Sequence, residues 1–188
     1  MKVGIFADTH DHLDNIRRAV KMFNDLEVEC VLFAGDLVST FAVPPLRQLN
    51  CKIYGCFGDN EGNKTGLLGG FKVIGEIQDA PAQYTLSDGT RVVVVHMERQ
   101  FAEFNEEFDI AIYGHTHRPN VKRDDQGRLF INPGETSGWT FNNPTIAVLE
   151  TTTQKVEILP IDMSQPLPSW EEDRRERAKM NSGNDKMN

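Results

Sequence analysis

Residues 2–36 read KVGIFADTHDHLDNIRRAVKMFNDLEVECVLFAGD. Lys2 to Ala7 is a short apolar run closed by Asp8, the pattern of a buried strand. Leu13, Ile16, Val20 and Phe23 follow at helical spacing and predict an amphipathic helix over about 12–24. Cys30 to Ala34, CVLFA, is a second buried strand, and it ends in Gly35-Asp36 much as the first ends in Asp8. Cys51 to Phe57 repeats the form and runs into Gly58-Asp59. Strand, helix and strand in this rhythm predict parallel βαβ units.

The second half of the chain changes character. Gln83–Leu86 and Arg91–Val95 flank Ser87-Asp88-Gly89, a hairpin turn signal. Asp109–Tyr113 is a further strand that ends in Gly114. Asp125-Gln126-Gly127 marks a turn between Pro119–Arg123 and Arg128–Asn132. Pro144–Glu150 and Lys155–Pro160 read as a closing hairpin. These strands are mixed in direction and too many for one parallel sheet, so two packed sheets with flanking helices are expected. No repeat of fixed period is visible.

Of 188 residues, 39% are hydrophobic and 26% charged, which fits one soluble globular domain and excludes a disordered, collagen-like or coiled-coil chain. Lys and Arg number 20 against 28 Asp and Glu, a net charge of −8. That balance argues against strong nucleic-acid binding and against attraction to an anionic membrane. Cys30, Cys51 and Cys56 form no disulfide framework, and Cys51 and Cys56 lack the second pair a zinc knuckle needs. Free thiols in a reducing compartment are the expectation. The opening MKVGIFADTHDH reaches charge too early for a signal peptide, and no run approaches about 20 apolar residues. A cytoplasmic protein is therefore expected.

From Ser164 the composition shifts. Residues 164–188 carry five acids and five bases, so the whole −8 belongs to residues 1–163. The expected division is a domain over 1–163 and a charged tail over 164–188. The tail reads as a solvated, frayed helix, or as an arm that docks through Trp170 on a second subunit of a homo-oligomer.

Metal-preferring side chains gather where the strands end. They are Asp8 and His10, Asp36, Asp59 or Asn60, His96, then His115 and His117. In α/β proteins sites form beyond the carboxyl ends of strands, so these segments can converge. Alternation along extended backbone would put His115 and His117 on one side. Taken singly, Asp8 could cap a helix, Gly35-Asp36 and Gly58-Asp59 could be turns, and His96 could be a buried histidine. Four of the five histidines nevertheless fall in one ordered set at strand ends. Nitrogen and oxygen donors suit manganese, iron, nickel or zinc. One ion takes about three or four protein ligands, and the set supplies about seven, so two ions fit it better.

In order along the chain stand D-x-H (Asp8–His10), G-D (Gly35–Asp36), a G-N-x-[DE]-like segment (Gly58–Glu61), a strand-end His96 and G-H-x-H (Gly114–His117). This set resembles the calcineurin-like metallophosphoesterase superfamily, and the short length resembles its small bacterial and archaeal phosphodiesterases. The resemblance spans about residues 1–160 and includes Asn132-Pro133-Gly134. It implies a four-layer αββα sandwich of two mixed sheets flanked by helices. It also implies two divalent ions, manganese foremost, with nickel, iron or zinc as alternatives. By resemblance Asp8, His10 and His117 bind one ion and Asp36 bridges. His96, His115 and the residue at 59 bind the other. A hydroxide held between the ions would attack the phosphorus of a small phosphoester in line.

The sequence departs from that pattern twice. The third motif usually reads Gly-Asn, whereas here it reads Gly58-Asp59-Asn60-Glu61. Either Asp59 replaces the neutral ligand, or a shift of one residue lets Asn60 reach the metal. Asp59 keeps the spacing from Gly58 to Glu61 and is preferred. Many relatives next carry a histidine that protonates the leaving group, but position 60 is Asn, which cannot act as a general acid. His12 is the remaining histidine and the candidate to replace that acid, or else a residue at the helix start. Glu135 reads as a residue that tunes access to the site or, preferred, as part of a surface turn, and Lys64 and Arg118 as contacts for an anion or as solvated bases. Residues 60–72 and 97–108 read as substrate loops, with Phe101 and Phe104 as an apolar wall between Glu98 and Glu106. Three functions fit: a phosphodiesterase, preferred; a phosphomonoesterase or nucleotide hydrolase; and an inactive scaffold of the same fold.

Overall fold

A computed structural model of the chain describes residues 1–167 and 169. Strands β1 (Lys2–Phe6), β2 (Cys30–Ala34) and β3 (Lys52–Cys56) lie parallel, and β4 (Gly75–Gln78) continues them in the same sense. On the other side of β1, strands β10 (Thr145–Glu150) and β11 (Lys155–Pro160) add an antiparallel hairpin. The six strands form one mixed sheet in the order β11-β10-β1-β2-β3-β4. The second sheet runs β5 (Ala82–Thr85), β6 (Arg91–Val94), β7 (Ile110–Ile112), β9 (Leu129–Asn132) and β8 (Asn120–Arg123) in spatial order. Its central pairs are parallel and its two edge pairs antiparallel.

Alternation along the strands builds the layers. Val3, Ile5 and Ala7 with Cys30, Leu32 and Ala34 turn inward and meet Val92, Val94, Ile110, Ile112 and Ile131 of the facing sheet. Phe6, Val31 and Phe33 turn outward under helix α1 (Leu13–Asp25), which buries Ile16, Ala19, Val20 and Phe23 on them. Short α2 (Val43–Leu46) and α3 (Lys64–Ile74) complete that helical layer. The outer face of the second sheet is covered by a 3-10 turn, Glu98–Glu103, rather than by an α-helix. The fold is therefore two mixed sheets flanked by few helices.

Three expectations change here. The stretch over 60–72, expected as a substrate loop, contains α3, capped by the Asn63 side chain, which accepts from the Gly66 amide at 2.9 Å. Gly66 and Gly70 hid it from the pattern, since glycine is a poor helix former. They also explain its place: a Cβ at Gly66 would lie 2.6 Å from Thr40 Cγ2, and one at Gly70 2.9 Å from Val43 Cγ1. Phe101 and Phe104 do not line a substrate wall, for they pack with Phe108, Tyr113 and Phe130 on the outer sheet face. Glu98 is engaged by Lys122 on β8. Finally, His115 and His117 are not on extended backbone, because β7 stops at Ile112 and both residues turn into the left-handed region, with φ of 66° and 59°.

No helix among the described residues is long and apolar enough to cross a membrane. Arg18 on α1 donates to the carbonyls of Met163 and Gln165 at 3.1 and 3.2 Å, so the chain is tied back to the first helix as the tail begins. The expected frayed helix and the Trp170 arm lie outside the described residues.

Candidate metal centre

Asp8, Asp36, Asp59 and His96 follow directly on or near the carboxyl ends of β1, β2, β3 and β6, and His115 and His117 follow β7. The loops cross-link before they reach the site. The Asp36 carbonyl accepts the amides of Thr9 and His10, each at 3.1 Å, and the Thr9 hydroxyl at 3.1 Å. Asn132 donates to Gly114 O at 2.9 Å and Thr116 Oγ1 at 3.0 Å while accepting from the Gly134 amide at 2.9 Å. That stitches the Gly-His-Thr-His loop to the Asn132-Pro133-Gly134 turn. Asp8, His10 and Asp36 share the left-handed backbone of His115 and His117, with φ of 51°, 43° and 64°. For residues other than glycine such backbone is strained.

These turns aim the donor atoms at one another. Asp8, His10 and His117 form one group, Asp59, His96 and His115 a second, and Asp8, Asp36 and His96 a third that joins them. Within each group the ligand atoms lie within 4.8 Å of one another. His10 Nε2 is 3.2 Å from His117 Nε2. His96 Nε2 is 2.8 Å from Asp59 Oδ1, and His115 Nδ1 is 3.5 Å from the same oxygen. Asp36 Oδ2 stands between the groups, 3.5 Å from His10 Nε2 and 3.3 Å from His96 Nε2. Gly58 permits that approach, since a Cβ there would lie 2.1 Å from Asp36 Oδ1.

Asn60 is held as well. Its amide N–H donates to Asp36 Oδ1 at 3.0 Å and its side-chain NH2 to Asp36 Oδ2 at 2.8 Å. Asp59, not Asn60, thus faces His96 and His115, while Asn60 braces the shared carboxylate. His12 sits at the start of α1, where Nδ1 accepts from the Asn15 amide at 3.3 Å. Its ring stacks on Trp139 with 4.4 Å between centroids.

The electrostatics follow from burial and crowding. Burial raises the Asp8 carboxyl to about 7, against the pull of His96 and His117. Burial acts upward on Asp36 too, but hydrogen bonds from His96 and Asn60 outweigh it and hold that carboxyl well below the usual range. Burial pushes His96 down, and the adjoining Asp36 carboxylate outweighs it and raises the imidazole to about 9.

The residues fit a divalent cation. Two donors on one ion at about 2.1 Å lie about 3–3.4 Å apart, the spacing of the facing histidine nitrogens. His96 donates Nδ1–H to the Ala34 carbonyl at 2.8 Å, which turns Nε2 toward two carboxylate oxygens, Asp59 Oδ1 at 2.8 Å and Asp36 Oδ2 at 3.3 Å. Carboxylates crowded on a buried imidazole nitrogen are an arrangement that a bound cation stabilises. The donors are oxygen and imidazole nitrogen without thiolate, as a hard or borderline cation prefers.

A profile of the calcineurin-like phosphoesterase superfamily domain matches residues 1–154. The chain belongs to this superfamily. Phosphodiesterase MJ0936 of Methanocaldococcus jannaschii is 39% identical to this phosphoesterase over 157 residues, 80% of this chain and 93% of the relative. The solved structure of an archaeal phosphodiesterase superposes with a TM-score of 0.79 at 35% identity, covering 85% of this chain and 99% of that one. YfcE, a phosphoesterase from E. coli, shares the fold at 18% identity with a TM-score of 0.63, covering 86% and 100%.

One residue of this phosphoesterase was misjudged from sequence. Glu135, expected in a surface turn, has no solvent exposure, and its Oε2 lies 2.8 Å from His117 Nδ1. Asn-Pro-Gly signals a turn whatever follows it, so the four letters give no sign of burial. Lys64 is an exposed base paired with Asp79 at 2.8 Å, the solvated alternative of its two readings. Arg118 lies against the Phe141 ring at 4.7 Å, next to His117 in the chain.

Proposed function

We propose that the chain is a dinuclear metal-dependent phosphodiesterase. The observation that carries this reading is Asp36 Oδ2, a single carboxylate oxygen within 3.5 Å of histidines from both ligand groups. Asp8, His10 and His117 would hold one ion, and Asp59, His96 and His115 the other, with Asp36 within reach of both. Bound there, divalent ions supply a strong nucleophile near neutral pH for in-line displacement at phosphorus and offset charge on the phosphoryl oxygens. Manganese is the proposed metal, given the mixed donors.

The chain's own residues set the rest. Asn60 fixes the rotamer of Asp36. Arg118 and the exposed Trp139 and Phe141 stand at the rim, where they can meet the anionic and organic parts of a small phosphoester. His12 stands there too as the candidate proton donor to the leaving group, although its Nδ1 is engaged as a helix cap. A third carboxylate at 59 lowers the positive charge of the loaded site, which favours a singly charged diester over a dianionic monoester. The phosphodiesterase relative supports the same preference. The free thiols suit a reducing compartment, the cytoplasm, with burial raising Cys30 to about 12 and Cys51 to about 11.

The test is hydrolysis of a chromogenic phosphodiester and the matching monoester with added manganese, before and after chelation. Diester turnover should exceed monoester turnover, vanish on chelation and be absent in Asp36→Ala. Undiminished turnover in that variant would overturn the proposal.

A further inference from the structure

We propose that Glu135 is a positioning residue that fixes which nitrogen of His117 faces the metal and, through the same carboxylate, secures the rim loop. The proposal rests on the reading of His117 as a ligand and goes beyond it. A carboxylate with no solvent exposure must find its hydrogen bonds inside the protein. Glu135 finds four donors. Oε1 accepts the Phe141 amide at 2.6 Å, and Oε2 accepts the Thr140 amide at 2.9 Å, the Ser137 hydroxyl at 3.3 Å and His117 Nδ1 at 2.8 Å.

An ionised carboxylate can only accept, so the His117 proton belongs on Nδ1. Nε2 is then left with its lone pair toward His10 Nε2 at 3.2 Å and Asp8 Oδ1 at 3.6 Å. Thr140 Oγ1, 2.9 Å from Nδ1, flanks the same nitrogen. A carboxylate behind a ligating imidazole fixes its tautomer and makes it more basic.

The same group holds the loop. Residues 137–141 are tied to Glu135 at Ser137, Thr140 and Phe141, and to α1 by Asn15, whose side chain donates to Thr136 O and Ser137 O at 3.1 and 3.0 Å. The loop carries Trp139, whose indole N–H donates back to the His10 carbonyl at 3.4 Å. One buried carboxylate therefore joins a ligand histidine to the aromatic rim.

Glutamine is nearly isosteric yet cannot substitute. In one orientation its NH2 opposes the Phe141 N–H, and in the other it opposes the Thr140 N–H and His117 Nδ1–H. The experiment titrates metal-stripped wild type, Glu135→Gln and His117→Ala with Mn2+ by calorimetry, and records the visible spectrum of each loaded with Co2+. Wild type should take two ions, and His117→Ala should lose one. Glu135→Gln should bind that same ion about 10- to 100-fold more weakly and show an altered Co2+ spectrum. A folded Glu135→Gln with wild-type affinity and spectrum, beside a His117→Ala that loses one ion, overturns this proposal alone. No metal uptake by wild type overturns the ligand reading with it. Should Glu135→Gln not fold, long-range 1H–15N spectra of histidine-labelled wild type loaded with diamagnetic Zn2+ decide. A proton on His117 Nδ1 supports the proposal, and one on Nε2 overturns it.

Discussion

Position 59 carries a carboxylate where the superfamily pattern has a neutral amide. Under the proposed dinuclear reading, two divalent ions would bring +4 against −3 from Asp8, Asp36 and Asp59; with Asn at 59 the carboxylates would bring −2. The expected effect of Asp59→Asn is manganese affinity lowered about tenfold and monoester turnover raised relative to diester turnover, since charge near the ions sets both. Calorimetry and paired substrate assays check this, and two unchanged values would discard the charge argument. At this scale much was legible from sequence. Asp8, Asp36, Asp59 and His96 stand out because each follows a short apolar run that reads as a buried strand. The directions of side chains were not legible. Spacing cannot tell that His115 and His117 turn left-handed into separate groups, nor that Asn60 turns both its backbone N–H and its side-chain NH2 to Asp36. Glu135 was invisible because burial of an acid depends on donors brought from Phe141, Thr140 and His117 by tertiary contact.

Among the elements, β1, β2 and β3 announce themselves because they are largely covered on both faces and read as short, mostly apolar runs. Helix α3 does not, because the glycines that let it approach Thr40 and Val43 erase its helical signature. Those glycines are not equivalent. A Cβ at Gly69 would meet nothing within 4 Å, so Gly69→Ala should stabilise the protein by about 0.5–1 kcal/mol through helix propensity alone. Gly66→Ala gains the same propensity but drives a methyl to 2.6 Å from Thr40 Cγ2, so it should destabilise the protein. Urea denaturation of the two variants gives the comparison, and equal shifts of one sign would refute the packing account of α3.

The whole molecule is two sheets whose upper loops are gathered at one point, so ions bound there should act as a staple. At free metal 100 times Kd each ion contributes about 2.7 kcal/mol, and for a domain of this size one such contribution moves Tm by about 5–10 °C. Stripping the protein with a chelator should lower Tm by that order. The effect has a pH sign. In the metal-free chain the Asp8 carboxyl, raised to about 7, and the His96 imidazole, raised to about 9, carry protons that metal must displace. Metal affinity, and with it the Tm gap between loaded and stripped protein, should therefore be larger at pH 8 than at pH 6. Differential scanning fluorimetry at the two pH values measures it, and a gap that shrinks with pH would contradict the assignment.

The left-handed backbone at Asp8, His10, Asp36, His115 and His117 has an evolutionary side. Each of these residues occupies a conformation that glycine or asparagine adopts more easily, at a cost of about 1–2 kcal/mol relative to ordinary backbone. Mutation unguided by catalysis or metal would relax them, for the metal-free folded chain gains from their loss. A library selected for heat resistance in the presence of a chelator should enrich glycine or asparagine at these five positions, while one selected for turnover should hold them fixed. Divergence between two such libraries would separate the residues kept for chemistry from those kept for folding, and a common outcome would mean the strain is not felt.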